Sequence, residues 1–432
     1  MTQVKLMCMN RTVLTAEYDY EVNSFFRIDA VDLESHVPFG ARKNGGKLTK
    51  GGLQSWWSDR AIPFSREDFD KIRRSLGGVG PIGLLSRAYG LSLSDQFWLK
   101  PEDSPVNWED VNYFDNGFSG ALGLMTLEGV PGSFRLPEGF APSDIGPSSS
   151  SGGDLRKAWI LRDGQRLLLK AGSAPFRQQP FNECVASALY ERVMPDSDFV
   201  PYALESLRSG EPVCACPCMV DRDECFVPAY EIRGMAKRRN DQSEWMFLNE
   251  LYAHLGIEDG GLQLSRMFAL DYILANSDRH LNNFGIIFDA ESMRAKRVAP
   301  IFDTGNSLWF DKPALDFNVD FRYRPKPLIA DRARGVTPED QLAVVDDFSW
   351  FDSTRLVGFE KAAVRILGGD SALSASRLRA IENGIGRNMD YLEDMVSKKG
   401  MKRGGARCVV PVAKVQMSHV RADSETSGKR IK

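Results

Sequence analysis

The feature that most constrains this chain is a crowded polar segment that lies between two apolar stretches. The segment, residues 276–283 with the sequence NSDRHLNN, follows an apolar helical pattern and precedes an apolar run over 284–288. Burying so many polar groups beside a core is costly unless each has a partner or a task. Asp303 stands in a similar position, directly after the apolar run over 298–302. We therefore expect the functional site where these two segments meet.

Two carboxylates and an amide at the ends of neighbouring strands match what ATP chemistry requires. Phosphoryl transfer needs Mg²⁺, which takes oxygen ligands from one or two carboxylates and from the nucleotide. It also needs an acid that orients the attacking hydroxyl. We expect Asp278 to orient the hydroxyl, and Asn283 and Asp303 to bind Mg²⁺. His280 either contacts phosphate or braces the loop through hydrogen bonds, and we favour bracing.

A nucleotide pocket also needs positive charge and a cradle of backbone amides. Lys170 ends the apolar run 166–170, the second strand of a hairpin that begins at 158 and turns at the Asp-Gly pair 163–164. An unpaired ammonium there would be costly, so we expect Lys170 to bind the α/β-phosphates and to pair with Glu183 near the start of a helix over 181–193.

The loop over 148–153, with the sequence SSSSGG, has small residues whose amides can wrap phosphates. Such a loop alone is usually a linker, but the order of loop, lysine, glutamate and acids favours the cradle. The cofactor-binding residues that we assign to this loop are Ser149, Ser150, Ser151 and Gly152.

In this order the motifs resemble those of the HipA-like kinases, bacterial relatives of the protein kinase and phosphoinositide kinase folds. The DRHLNN string at 278–283 resembles the catalytic-loop motif of that family, and Asp303 in IFDTG resembles its second metal-binding acid. Lys170 and the Asn182-Glu183 pair resemble its β-lobe lysine and helix start. The resemblance covers about residues 145–395 and is looser at the serine/glycine loop, where the family carries a serine that can be autophosphorylated.

The resemblance implies an ATP- and Mg²⁺-dependent kinase that transfers the γ-phosphoryl group to serine or threonine of a protein, with itself among the candidate substrates. It implies an α+β, bilobal kinase-like fold with a small antiparallel β lobe and a larger helical lobe. It also implies protein substrates such as a translation factor or an aminoacyl-tRNA synthetase, and a DNA-binding antitoxin-like partner of the toxin-antitoxin type.

Hydrophobic periodicity divides the chain into four parts, without an internal repeat. We predict a mostly helical accessory module over 1–140, a β lobe with the serine/glycine loop over 141–232, a helical catalytic lobe over 233–397 and a basic disordered tail over 398–432. Within the first part, a capping-box-like start at Ser65 predicts a helix over 65–77, and a short helix follows over 82–88.

Charge and composition exclude several classes of protein. The 432 residues have a formal net charge of −3, so we do not expect direct nucleic-acid binding. The tail from 398 carries ten basic and two acidic residues, a net +8, and subtracting this from −3 leaves −11 on the first 397 residues. No apolar run reaches the roughly 18–20 residues of a membrane span, so we expect no membrane association.

The seven cysteines are few and odd in number, which is typical of reduced thiols in a cytoplasmic protein. Cys214, Cys216 and Cys218 alternate along a predicted strand, and we interpret them as core residues. They lack the usual spacing of zinc ligands.

Three other interpretations stay open. The protein is a catalytically silent nucleotide-binding regulator whose front module or tail binds DNA or a partner protein. Alternatively it phosphorylates a lipid or small molecule, because phosphoinositide kinases share the Asp-Arg-His order. The helices near residues 65–88 also fit a DNA-binding helix-turn-helix. We favour a packing module there, because Glu67, Asp68 and Asp70 interrupt the basic residues.

Overall fold

The computed structural model describes residues 1–43, 46–66, 73–74, 78–129, 141–174, 176–312, 323, 325–326 and 337–403. The helix predicted over 65–77 lies almost entirely outside these residues, as does the predicted tail from 404 onward. The first six residues of that tail, 398–403, continue the last helix, so the boundary predicted at 398 falls inside a helix.

The front module is built around an antiparallel sheet. Its strands are β1 (Thr2–Cys8), β2 (Arg11–Asp19), β3 (Ser24–Val31), β4 (Arg42–Lys43), β5 (Lys47–Leu48) and β6 (Phe97–Pro101). Four of them form one sheet in the order β3-β2-β1-β6, and β4 pairs with β5. The prediction of a mostly helical module was therefore wrong. Val4 and Leu6 are buried on either side of the partly exposed Lys5, and this alternation with period two is a strand signal.

Four described helices accompany this sheet: α1 (Lys50–Asp59), α2 (Pro81–Arg87), α3 (Trp108–Val111) and α4 (Ala121–Glu128). Helix α2 confirms the short helix predicted over 82–88. Helix α1 buries Trp57 completely, with its ring edge-on to Phe25 of the sheet at a centroid distance of 6.1 Å. The core around Trp57 therefore forms between a helix and a sheet.

The small lobe opens with α5 (Pro142–Ile145) and a 3₁₀ turn at Pro147–Ser150. Its strands are β7 (Lys157–Arg162), β8 (Gln165–Ala171), β9 (Ala203–Ser206) and β10 (Pro212–Pro217), in the antiparallel order β7-β8-β10-β9. Helix α6 (Gln179–Val193) packs against this sheet. Asp163 and Gly164 both have positive φ, 52° and 77°, as a two-residue hairpin turn requires. The predicted hairpin and helix are confirmed.

The larger lobe combines a three-stranded sheet with helices. The strands, in the order β11-β12-β13, are β11 (Glu224–Pro228), β12 (Gly285–Asp289) and β13 (Ala295–Val298). The described helices are α7 (Ala229–Arg233), α8 (Glu244–His254), α9 (Gly260–Ile273), α10 (Pro338–Ala343), α11 (Phe359–Leu367) and α12 (Ala375–Arg403). The strand predicted over 298–302 lies earlier in the chain, as β13. Pro300 has no N–H for a ladder, and only a single bridge, Ile301 to Phe199, follows β13.

The front module and the larger lobe share one hydrophobic core, which includes Leu6 and Trp57 as well as Ile286 and Phe288. The rings of Phe39 and Phe288 lie 5.0 Å apart across this junction. Cys214 and Cys216 are buried on β10, as expected for core residues. Among the described residues, no helix is long and apolar enough to cross a membrane.

Candidate active site

The polar segment between α9 and β12 forms a loop whose buried side chains have partners. Asn276 is 2% exposed, and its amide donates to Asp271 Oδ1 at 2.8 Å. Its Oδ1 accepts the N–H of Asp278 at 3.1 Å. These bonds offset the cost of burying polar groups beside the core, and they orient the backbone at Asp278.

Arg279 joins this loop to the segment that carries Asp303. Its guanidinium forms a bidentate salt bridge with the carboxylate of Asp271, with nitrogen–oxygen distances of 2.8 and 3.0 Å. It also donates to the carbonyl oxygen of Phe302 at 2.5 Å and to the hydroxyl of Thr304 at 3.0 Å. Burial lowers the pKa of Arg279, but the Asp271 carboxylate outweighs burial and raises it. We had not predicted this structural role. Its signal in the sequence is a charged residue within a segment that is expected to be buried, because a buried charge needs a partner.

Asp278 has a partner on each carboxylate oxygen. Asn306 donates its side-chain amide to Oδ2 at 2.8 Å, and the ammonium of Lys326 pairs with Oδ1. The side chain of Asp278 is 20% exposed, so solvent reaches part of it.

Asn283 and His280 complete the polar loop over 276–283. The Asn283 amide donates to the carbonyl oxygen of Asp278 at 3.1 Å, which leaves its own side-chain oxygen as a further acceptor. His280 accepts the N–H of Asn282 through Nδ1 at 3.3 Å. Burial lowers the pKa of His280, so the ring is neutral at pH 7. These contacts fit the bracing role better than a phosphate contact.

Lys170 lies at the centre of a buried charged cluster. Its ammonium donates to Asp303 Oδ1 at 2.9 Å, to the Tyr202 hydroxyl at 3.0 Å and to Glu183 Oε1 at 3.2 Å. Glu183 Oε2 in turn accepts the N–H of Thr304 at 2.9 Å. The predicted Lys170–Glu183 pair therefore forms, and the same ammonium meets the predicted metal ligand.

The opposite charges of this cluster keep one another ionised. Burial raises the pKa of Asp303, but the Lys170 and Lys157 ammonium groups outweigh burial and hold it far below its ordinary value. Burial likewise lowers the pKa of Lys170, and Asp303, first among its neighbours, reverses that effect. Asp303 also has a φ of +58°, a left-handed conformation that is uncommon outside glycine and costs energy.

The serine/glycine loop is packed more tightly than an open cradle. Ser148 and Ser149 are buried, and the Ser149 hydroxyl donates to the carbonyl oxygen of Gly146 at 3.0 Å. The hydroxyls of Ser150 and Ser151 donate to Pro147 and Ser148 carbonyl oxygens at 3.0 and 2.7 Å. Gly152 is exposed. The assignment of this loop to nucleotide binding stays a prediction.

Two basic residues that we had not predicted hold this loop. Lys157 lies directly opposite Lys170 in the β7–β8 pairing, and its ammonium donates to the carbonyl oxygen of Gly152 at 2.7 Å. Arg66, from the front module, is 2% exposed and donates to the Ser151 hydroxyl at 3.1 Å and to the Gly153 carbonyl oxygen at 2.9 Å. The loop therefore adjoins the Lys170 cluster.

The oxygen donors near Lys170 suit Mg²⁺. Asp303 supplies a carboxylate whose side chain is 33% exposed, and Asn283 supplies an amide. Mg²⁺ is commonly bound by one or two protein oxygens plus phosphates and water. Within the described part of the chain, no three His, Cys, Asp or Glu residues cluster as a metal cage.

Comparison with known proteins identifies the fold. No protein-family model and no curated protein sequence matches the chain. The solved structure of the Helicobacter pylori proinflammatory kinase CtkA matches with a TM-score of 0.44 and 18% identity, over 57% of this chain and 95% of that chain. HipA from Shewanella oneidensis MR-1, solved with HipB and its operator DNA, matches with a TM-score of 0.51 and 12% identity, over 94% of this chain and 100% of that chain. The chain therefore has the HipA-like, bilobal kinase fold that its motifs predicted.

Proposed function

We propose that the protein is an ATP- and Mg²⁺-dependent kinase that transfers the γ-phosphoryl group to serine or threonine of a protein. The observation that carries this proposal is the meeting of Lys170, Glu183 and Asp303 in one cluster, which Arg279 links to the loop of Asp278. A buried lysine paired with a glutamate, beside a loop with a further, partly exposed acid, is typical of phosphoryl-transfer sites.

Each residue has a defined task in this reaction. Lys170 binds the α/β-phosphates, and Glu183 fixes the direction of its side chain. Asn283 and Asp303 hold Mg²⁺, which when bound screens the charge of the phosphates. Asp278 orients the attacking hydroxyl and accepts its proton. Arg279 and His280 keep the loop in place.

The substrate and partner are also proposals. We infer a protein substrate, of the kind represented by translation factors or aminoacyl-tRNA synthetases. The Shewanella oneidensis HipA structure contains HipB and operator DNA. With the shared fold, this supports a DNA-binding, antitoxin-like partner for the present chain as well.

The test is incubation with ATP labelled at the γ-phosphate and Mg²⁺, followed by detection of label on the protein itself or on a lysate protein. Asp278→Asn keeps the shape of the side chain but removes the base, so we expect it to abolish labelling. Asp241→Asn is the matched control, because Asp241 is exposed at 82% of its side chain. Labelling that survives in the Asp278 variant would contradict the assignment, and ATP binding without any transfer would favour the silent regulator.

A further inference from the structure

Besides the Mg²⁺ that Asn283 and Asp303 would hold, a transferring phosphoryl group is stabilised by cationic side chains of the enzyme. Negative charge on its oxygens must be balanced in the transition state, and preorganised cations are the usual means. The cation also has to lie near the base, because the attacking hydroxyl and the phosphoryl group meet there.

The loop's own basic residues are not available for this task. Arg279 is 3% exposed, and its donors are directed at Asp271, at backbone carbonyl oxygens and at Thr304. The Nδ1 atom of His280 accepts the N–H of Asn282 at 3.3 Å, within the loop itself.

The two lysines of the small lobe are also engaged elsewhere. Lys170 is held by Glu183, Tyr202 and Asp303, and Lys157 by the Gly152 carbonyl oxygen. Both ammonium groups are therefore already bound to groups other than Asp278.

Lys326 has the required position. Its ammonium pairs with Asp278 Oδ1, while its side chain remains 57% exposed. Its backbone N–H donates to the carbonyl oxygen of Ser277 at 3.1 Å. The preceding Pro325 is buried, and Tyr323 packs against the hydrophobic core. The lysine is therefore anchored by its backbone, and its charged end reaches the base from the solvent side.

We propose that Lys326 is a further catalytic residue, which contacts the transferring phosphoryl group beside Asp278. This inference rests on the proposed kinase function. In the reaction, the substrate hydroxyl oxygen forms a bond to the γ-phosphorus, and the bond from that phosphorus to the β–γ bridging oxygen breaks. The electron pair of the broken bond stays on ADP, and the hydroxyl proton passes to Asp278. The ammonium of Lys326 balances the charge on the transferred oxygens.

The test compares Lys326→Met and Lys326→Arg with the wild-type chain. Release and transfer of γ-labelled phosphate are measured over a range of ATP concentrations, and the Kd for ATP is measured separately at equilibrium. We expect Lys326→Met to lower kcat about tenfold to a hundredfold, with KM and Kd for ATP changed less than about twofold. Lys326→Arg keeps a cation and is expected to recover part of kcat. Lys361→Met, at an exposed lysine of α11, is the control.

Each outcome bears on one proposal or both. An unchanged kcat in Lys326→Met, with an active wild type and an inactive Asp278→Asn, would overturn the role of Lys326 alone. A higher kcat would also overturn it, because Lys326 would then obstruct the base. Loss of ATP binding, or an equal loss in Lys361→Met, would likewise overturn it. A wild type that transfers no phosphate would remove the proposed function and this inference together.

Discussion

The buried ammonium of Lys170 is the residue on which the active site most depends. It is 5% exposed and lies between the Glu183 and Asp303 carboxylates. Taking one ion out of water is costly, and each charge of such a cluster is tolerated only because the others are present. Removal of one partner would therefore leave the other charges buried and uncompensated.

Replacing Lys170 by methionine is expected to abolish ATP binding and to destabilise the fold by about 3 kcal/mol, because Glu183 is left buried without its cation. The measurement is urea unfolding at pH 7, together with equilibrium binding of ATP. Lys361→Met is the matched control and is expected to change the free energy of unfolding by less than about 0.5 kcal/mol. Equal stability of the two variants would show that the cluster is not a buried charge network.

Helix α12 is the longest element described, and it contacts α9 and α11. Two of its glycines have opposite surroundings. A Cβ on Gly384 would lie 2.4 Å from the ring of Trp309, whereas a Cβ on Gly386 would meet nothing within 4 Å. Trp309 is buried and follows Asp303 by six positions, so this close approach packs the helix against the segment that carries the site.

Alanine at these two positions is expected to have effects of opposite sign. Gly384→Ala forces the ring of Trp309 to move and should destabilise the protein by about 1–3 kcal/mol. Gly386→Ala adds a better helix former without a clash and should stabilise it by up to about 1 kcal/mol. Thermal unfolding of both variants beside the wild type measures the difference. A similar loss for both would mean that Trp309 does not pack on this helix.

The front module and the larger lobe meet at the carboxyl group of Glu231, whose pKa is raised. Glu231 accepts the N–H of Gly40 at 2.7 Å across this junction. Burial raises the pKa of Glu231 to about 7, and the negative charges of Asp95 and Asp59 add to this while Arg60 opposes it. The two parts of the molecule are therefore joined at a group that is still partly protonated near neutral pH.

Stability at this junction is expected to depend on pH. The folded pKa of Glu231 lies above its unfolded value of 4.5, so the folded state binds the proton more tightly. The contribution of Glu231 to the free energy of unfolding is fully present below pH 4.5 and is lost as pH rises through 7. Because Glu231 is only partly buried, we expect about 1–2 kcal/mol less stability at pH 8 than at pH 5 from this group.

Glu231→Gln is expected to remove that part of the pH dependence, because the amide does not titrate. Urea unfolding at several pH values between 5 and 8 measures the effect. Glu258→Gln, at an exposed position, should leave the wild-type profile unchanged. A Glu231→Gln profile parallel to that of the wild type would mean that this carboxyl does not titrate differently on folding.

The sequence by itself determined the hairpin at Asp163-Gly164, helix α6 and the composition of the catalytic loop. These features depend on neighbours in the chain: turn conformation, helical periodicity and the cost of burying a polar segment are all local. The same signals predicted that Lys170, Glu183, Asp278, Asn283 and Asp303 belong to a single site.

Tertiary structure alone decided the front sheet, in which β1 pairs with the distant β6, and the contacts of Arg66, Lys157 and Lys326. Arg66 and Ser151 are 85 positions apart, and no spacing rule connects an arginine of one module to a loop of another. Such contacts form only when separate hydrophobic faces pack together and bring distant backbone segments side by side. The charge and length of these side chains were evident in the sequence, but their partners were set by that packing.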